Sequence, residues 1–138
     1  MYNTNIEMKV LLADDSGLIL ERLKELLGIY KQAEIVASLK NGTETLEAIR
    51  VLKPDLAILD IKMPGLSGLE VLNEIRKEDK NIKFIILTLY ASDYYRQLAI
   101  KSGADYFFNK AEDFEKVSQL VGSLIQDAPN GTKFKLQI

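Results

Sequence analysis

Five polar residues lie at the ends of apolar runs in this chain, and together they could bind a cation and an anion. They are Asp14, Asp15, Asp60, Thr88 and Lys110. Clustered carboxylates repel one another and need a cation, and an all-oxygen site suits a partly hydrated Mg²⁺. A lysine ammonium and a threonine hydroxyl can bind the oxygens of a phosphoryl group. Asp60 would then be a carboxylate nucleophile that forms an acyl phosphate.

Each of these residues also has a plainer explanation when it is taken alone. A pair of acidic residues before a helix often caps it, and Ser16 follows Asp14 and Asp15 directly. Thr88 could simply close a strand, and a single lysine such as Lys110 is usually solvated. The chemical interpretation therefore depends on whether the fold brings the five residues together.

The apolar pattern predicts five strands that alternate with five helices. The expected strands are 8–13, 34–39, 55–60, 82–88 and 104–108, and the expected helices are 18–27, 43–51, 69–75, 93–102 and 112–126. Strict alternation indicates a doubly wound parallel sheet with helices on both faces and right-handed crossovers. The carboxyl ends of parallel strands share one edge of the sheet, so the five polar residues are expected to converge there.

Composition excludes several functions. The chain has 138 residues, enough for one domain, and a net charge of −2 with no basic cluster argues against nucleic-acid binding. It contains no cysteine and no histidine, which excludes disulfides, thiolate metal sites and histidine-based catalysis. The apolar runs are too short to span a bilayer, and residues 1–7 carry no export signal, so a cytoplasmic protein is expected.

The two ends of the chain are expected to add little to the domain. Residues 1–7 are interpreted as an N-terminal extension, 8–126 as the domain and 127–138 as a C-terminal tail. Residues 133–138 alternate polar with apolar side chains, which is compatible with an added edge strand or a partner-binding segment. A frayed terminus is the favoured interpretation on general grounds. Met1 and this tail also suggest a complete, single-domain chain.

From residue 8 to residue 126 the sequence resembles the receiver domain of two-component response regulators. The matching motifs are Asp14-Asp15 after the first strand, Asp60 before Met63-Pro64-Gly65, Thr88 after an apolar strand, and Lys110 after Gly103-Ala104-Asp105. The resemblance implies a flavodoxin-like fold with strand order 2-1-3-4-5. It also implies phosphotransfer to Asp60 from a histidine kinase or a histidine phosphotransfer protein. Such a domain is not an enzyme with an external substrate, since it catalyses only its own phosphotransfer and dephosphorylation.

The resemblance also implies a role for each residue of the site. Asp15, Asp60 and the backbone carbonyl of Lys62 would bind Mg²⁺ directly, while Asp14 would act largely through water. Thr88 and Lys110 would contact the phosphoryl group. The switch pair would be Thr88, which moves toward the phosphoryl group, and Phe107, whereas the adjacent Tyr106 should point to the other side of its strand.

The same resemblance implies an output through protein contacts. The signal would leave through helix 93–102, the last strand and the last helix toward a downstream protein, and a homodimer could form through the same face. Residues 127–138 are too few for a DNA-binding module, so direct binding of nucleic acid is not expected, and neither is membrane binding.

Two residues depart from the family pattern, and three neighbours of the site are expected to tune dephosphorylation. Leu89 stands where a small residue is usual and would crowd the phosphoryl pocket, and Ala111 replaces the usual proline, so a rearranged loop is expected after Lys110. The tuning residues are Lys62, Leu89 and Tyr90. Tyr90 in particular is predicted to shield the acyl phosphate, so that Tyr90→Ala would dephosphorylate faster.

Three other functions remain as alternatives. A flavodoxin-like cofactor binder would share the architecture, but Asp14 and Asp15 would repel a bare phosphate. A Mg²⁺-dependent aspartyl-phosphate hydrolase would carry a nucleophile and an acid closely spaced on one loop, which this sequence does not show. The third is a degenerate receiver that binds protein without phosphorylation, an alternative motivated by Leu89 and Ala111.

Overall fold

The computed structural model describes residues 5–127 and 135–137, which form one six-stranded sheet in the order β2-β1-β3-β4-β5, with β6 paired to β1. The strands are β1 (Asn5–Ala13), β2 (Ala33–Leu39), β3 (Leu56–Leu59), β4 (Lys83–Thr88), β5 (Tyr106–Asn109) and β6 (Lys135–Gln137). The helices are α1 (Gly17–Leu27), α2 (Gly42–Leu52), α3 (Gly68–Arg76), α4 (Asp93–Ser102) and α5 (Phe114–Gln126). The five-stranded parallel sheet and its predicted order are confirmed.

Alternate residues of the central strands face two separate hydrophobic cores. On β3, Ala57 and Leu59 pack with α2, α3 and α4, whereas Leu56 and Ile58 pack with α1 and α5. All four side chains of this strand are fully buried, as expected for a strand with helices on both faces. Strand β3 is thereby held rigidly from both sides, and it carries Asp60 at its carboxyl end.

Serine caps start three of the helices close to the carboxyl ends of the strands. Ser16 accepts a hydrogen bond from the Ile19 backbone N–H at the start of α1, and Ser92 does so from the Tyr95 N–H at the start of α4. Ser67 forms a capping box with Glu70 at the start of α3. These caps fix the loops after β1, β3 and β4, which border the predicted site.

The two ends of the described chain pair with each other, contrary to the expected frayed terminus. Strand β6 runs antiparallel to the start of β1, with Asn5 opposite Gln137 and Glu7 opposite Lys135. Consequently β1 begins at residue 5 rather than at residue 8, and part of the predicted extension belongs to the sheet. The added edge strand is the interpretation that the structure supports.

Two other boundaries differ because backbone N–H groups are used in turns. Strand β5 begins at residue 106 rather than 104, since the Ala104 N–H donates to the Ala99 carbonyl and closes α4, with Gly103 in the left-handed region at φ 105°. Helix α5 begins at residue 114 rather than 112, because residues 109–113 form a turn. No helix in residues 5–127 is long and apolar enough to cross a membrane.

Candidate functional site

Lys110 joins two buried carboxylates at the carboxyl edge of the sheet. Its Nζ lies 2.6 Å from Asp14 Oδ2 and 3.0 Å from Asp60 Oδ2. The side chains of Asp14, Asp60 and Lys110 are only 2%, 8% and 9% exposed. The predicted convergence of β1, β3 and the segment after β5 is therefore present as a nearly buried ionic cluster.

The backbone ladder continues one residue beyond each strand and fixes the position of these side chains. The Asp60 N–H donates to the Ala13 carbonyl at 3.0 Å, and the Asp14 N–H donates to the Leu39 carbonyl at the same distance. The Lys110 N–H donates to the Thr88 carbonyl at 2.9 Å. The ends of neighbouring strands are thus tied to one another, which places their side chains within contact distance.

The carboxylates of Asp14, Asp15 and Asp60 form a donor set that suits a hard cation. Their oxygens lie within 4.8 Å of one another, and Asp15 is exposed. Asp14 Oδ1 accepts from the Ser16 N–H at 2.9 Å and Asp60 Oδ1 from the Ile61 N–H at 2.7 Å, so backbone bonds orient both groups. An all-oxygen set with solvent access on one side is the environment that Mg²⁺ prefers.

Burial and the ion pairs act in opposite directions on the protonation of this cluster. Burial raises the pKa of the Asp14 carboxyl, although hydrogen bonds from Lys110 and from the Ser16 N–H partly offset it. Burial also acts to lower the pKa of the Lys110 ammonium, but hydrogen bonds to Asp14 and Asp60 and their charges together raise it. Lys110 therefore stays protonated at neutral pH.

Thr88 and Phe107 both face the interior. Thr88 is fully buried at the end of β4, and its Oγ1 accepts a hydrogen bond from the Tyr90 N–H at 3.1 Å. Phe107 is 7% exposed, and the Arg96 guanidinium lies 4.7 Å from its ring centroid. Phe107 packs in the core of α2, α3 and α4, whereas Tyr106 packs on the α1 and α5 side. The two aromatic side chains thus point to opposite faces of β5.

A solvent-open cavity of about 440 Å³ lies over the cluster. It is lined by Asp15, Ser16, Ile19, Asp60, Lys62, Leu89, Tyr90 and Lys110. Leu89 is 65% exposed and Tyr90 48% exposed, so both border the opening with much of their surface in solvent. Lys62, from the loop after β3, places its Nζ 5.2 Å from the Tyr90 ring centroid. The three predicted tuning residues therefore lie around the mouth of one cavity.

Hydrogen bonds between Asn109 and Asp113 close the loop that follows Lys110. Asn109 Oδ1 accepts from the Ala111 N–H at 2.8 Å, and Asp113 Oδ2 accepts from the Asn109 N–H at 3.0 Å. The Asp113 N–H donates to the Asn109 carbonyl at 2.7 Å. Every peptide bond in the described residues is trans. The polar pair Asn109 and Asp113 thus shapes the loop around Ala111, and sequence reasoning did not identify it.

The Asp113→Ala variant is expected to unfold at lower urea concentration than the wild type at pH 7. The hydrogen bond from the Asn109 N–H, together with Lys116 3.1 Å away, lowers the pKa of the Asp113 carboxyl. A lowered pKa in the folded state means that the ionised group stabilises the fold above about pH 4, and that this contribution is lost as the pH falls further. The difference in urea midpoint between the wild type and Asp113→Ala should therefore be smaller at pH 3 than at pH 7.

The exposed neighbour Glu112 provides the control for this experiment. Glu112→Ala removes a carboxylate from the same loop but leaves the Asn109 and Asp113 hydrogen bonds in place. Its urea midpoint should stay close to that of the wild type at both pH values. Equal effects of the two substitutions would show that the Asp113 contacts do not stabilise this loop.

A doubly wound α/β domain with three carboxylates, a threonine and a lysine at its carboxyl edge defines a recognisable class of protein. The family model described as the response regulator receiver domain matches residues 10–122. The chain belongs to this family, the receiver domains of two-component response regulators.

Relatives and solved structures agree with this assignment. The chain is 32% identical over 119 residues to the transcriptional regulatory protein YvfU of Bacillus subtilis, covering 86% of this chain and 60% of that protein. A LuxR-family DNA-binding response regulator from Staphylococcus aureus has a TM-score of 0.78 at 31% identity, with 86% of this chain and 98% of that chain covered. The response regulator domain of Thermotoga maritima CheB has a TM-score of 0.77 at 28% identity, with 88% and 96% covered. The chain spans between 53% and 60% of the length of curated relatives such as YvfU and GacA of Pseudomonas aeruginosa.

Proposed function

We propose that this receiver is phosphorylated on Asp60 in a Mg²⁺-dependent reaction and that phosphorylation switches a protein–protein contact. The observation that carries the proposal is the position of Asp60: its Oδ2 lies 3.0 Å from Lys110 Nζ at the floor of an open cavity. Asp14 and Asp15 lie beside it. The phosphoryl donor would be a histidine kinase or a histidine phosphotransfer protein.

In the proposed transfer, one carboxylate oxygen of Asp60 attacks the phosphorus of the donor phosphohistidine. The phosphorus–nitrogen bond breaks, and its electron pair stays on the imidazole nitrogen, which can then take up a proton. Mg²⁺ held by Asp15, Asp60 and the Lys62 carbonyl, with Asp14 acting through water, would neutralise charge on the phosphoryl oxygens.

The remaining residues of the site bind and orient the phosphoryl group. Lys110 is paired with Asp14 and Asp60 in the structure. In the phosphorylated state it would donate one N–H to a phosphoryl oxygen instead, because this oxygen is a third acceptor and carries more negative charge. Thr88 would rotate its hydroxyl toward the same group and lose the hydrogen bond from the Tyr90 N–H. Movement of Thr88 leaves space at the end of β4 that Phe107, on the neighbouring strand, would help to fill.

The output surface in this proposal is the exposed side of α4 with β5 and α5. Tyr94 and Ile100 on α4 are 68% and 57% exposed, and both line one shallow surface depression along this helix. A downstream protein, or a second copy of the chain, would bind there. The protein would act in the cytoplasm on no external substrate, catalysing only its own phosphotransfer and dephosphorylation.

Intact-mass measurement tests the phosphorylation directly. The protein is incubated with acetyl phosphate and Mg²⁺, and the mass of one phosphoryl group is expected to be added. Hydroxylamine, which cleaves acyl phosphates, should remove it, and a chelator present from the start should prevent its addition. A mass gain that resists hydroxylamine would contradict modification of a carboxylate.

Failure to gain mass with acetyl phosphate or with any phosphorylated histidine donor would overturn the proposal. It would favour a receiver that binds its partner without phosphorylation. In the structure Leu89 lies mostly in solvent, and the loop at Ala111 is closed by regular hydrogen bonds. Leu89 and Asp60 line the same open cavity, which supports access of a phosphoryl donor to Asp60.

A further inference from the structure

One wall of the cavity over Asp60 is built from two residues that come from different loops. Lys62 belongs to the loop after β3, and Tyr90 belongs to the loop after β4. Both line the cavity, and Lys62 Nζ lies 5.2 Å from the centroid of the Tyr90 ring. Both side chains are exposed, so a third group that contacts both of them would hold them together more firmly.

Tyr95 supplies that third group. Its ring centroid lies 5.6 Å from Lys62 Nζ and 5.8 Å from the centroid of Tyr90, with the two rings 65° apart in an edge-to-face arrangement. Lys62 Nζ is thus shared between two aromatic rings, at 5.2 Å from Tyr90 and 5.6 Å from Tyr95. All three distances lie in the range of favourable cation–aromatic and aromatic pairs.

Tyr95 is held more firmly than the two residues it contacts. It lies in the first turn of α4, where its N–H donates to the Ser92 hydroxyl. Its side chain is half-buried and packs against the core that contains Phe107 and Ala99. Tyr95 is therefore the most firmly held of the three residues, although it does not itself line the cavity.

We propose that Tyr95 is a positioning residue that sets the lifetime of phosphorylated Asp60 by holding Lys62 and Tyr90 together as a wall against water. The inference rests on the proposed phosphorylation of Asp60. In hydrolysis, a water oxygen attacks the phosphorus, the bond to the Asp60 oxygen breaks, and its electron pair returns to the carboxylate. The water proton leaves with inorganic phosphate or passes to solvent. A closed wall limits the paths by which this water reaches the phosphorus.

The rate of phosphate loss in matched variants tests the inference. Proteins phosphorylated with acetyl phosphate are freed of donor, and the decay of the phosphorylated mass is followed with Mg²⁺ present. Tyr95→Leu and Lys62→Met are each expected to lose phosphate about two- to fivefold faster than the wild type, in line with the strength of an exposed cation–aromatic contact. Tyr95→Phe keeps the ring and should decay at the wild-type rate.

The double variant distinguishes positioning from independent effects. If Tyr95 acts through Lys62 and Tyr90, then Tyr95→Leu combined with Lys62→Met should decay no faster than the faster single variant. Lys77→Met is the matched control for Lys62→Met, because Lys77 is an exposed lysine at the end of α3 whose described ion pair is with Glu74, and it does not line the cavity. Its decay rate should stay close to that of the wild type.

Several results would overturn the inference. One is an unchanged rate of phosphate loss in Tyr95→Leu, and another is a double variant in which the effects of Tyr95→Leu and Lys62→Met multiply. The third is a Tyr95→Phe variant that loses phosphate as fast as Tyr95→Leu. Lys62 is an exposed surface residue, so the Lys62→Met arm remains informative even if Tyr95→Leu folds poorly.

Phosphate uptake itself is measured in the same series. Its absence in the wild type would overturn the proposed phosphorylation and this inference together, whereas normal uptake with unchanged decay would overturn this inference alone.

Discussion

Asp60→Asn is expected to abolish phosphate uptake from acetyl phosphate in the presence of Mg²⁺. The amide keeps the size of the side chain and can still accept the Ile61 N–H, so the fold is expected to persist. It lacks the anionic oxygen that attacks phosphorus, and it removes one negative charge from the cation site with Asp14 and Asp15. Intact-mass measurement under the conditions that phosphorylate the wild type would show no added phosphoryl group.

Asp127→Asn provides the control with the same chemical change. Asp127 is exposed at the carboxyl end of α5, a helix that contributes no residue to the cavity over Asp60, and its variant should take up phosphate like the wild type. Phosphate uptake by Asp60→Asn at the wild-type level would place the phosphoryl group on another residue. Peptide mapping of the modified protein would then identify that residue.

Lys110→Met is expected to lower the free energy of unfolding by about 3 kcal/mol in Mg²⁺-free buffer at pH 7. Two nearly buried carboxylates, Asp14 and Asp60, would lose the only side-chain cation that pairs with them among the described ion pairs. Burial raises the pKa of Asp14, so protonation of that group would relieve part of the repulsion. Methionine keeps the length of the side chain, which limits the packing change. Urea unfolding measures the effect, and phosphate uptake in the same variant should be strongly slowed.

Lys116→Met separates the buried lysine from an ordinary surface one. Lys116 pairs with Asp113 at 3.1 Å, but its side chain is 62% exposed, so its removal should change the free energy of unfolding by less than about 1 kcal/mol. Added Mg²⁺ should recover part of the stability of Lys110→Met, since an ion that binds only the folded state stabilises it. Equal losses in the two lysine variants would show that the Lys110 pairs do not stabilise the domain.

The sheet and the convergence of Asp14, Asp60 and Lys110 could be predicted from sequence because both follow from local patterns. Apolar runs identify the strands, and parallel strands place their carboxyl ends along one edge. The contact of Lys110 with Asp14 at 2.6 Å was not predicted. It depends on which acceptor a flexible lysine reaches when two carboxylates lie nearby, and the spacing of residues does not determine that.

The features that sequence reasoning missed depend on contacts between residues far apart in the chain or on side chains with no chemical motif. Strand β6 pairs with residues 5–7 across more than a hundred residues, and its short alternating pattern is equally compatible with a loose tail. In the sequence Tyr95 is one more apolar residue of a helix, and only its distance from Lys62 in the structure indicates the proposed positioning role. Asn109 and Asp113 are common turn residues, so their mutual hydrogen bonds become visible only in the structure.

The pairing of β1 with β6 has a practical consequence for measurements on this protein. The paired segments lie at the amino end of β1, whereas Asp14 follows its carboxyl end, nine residues of strand away. At roughly 3.3 Å per residue, a tether attached beside the pairing would be about 30 Å from the cavity. On a sensor surface, molecules anchored there would all present the Asp60 cavity toward solution, so that kinase and partner binding could be compared on uniformly oriented protein.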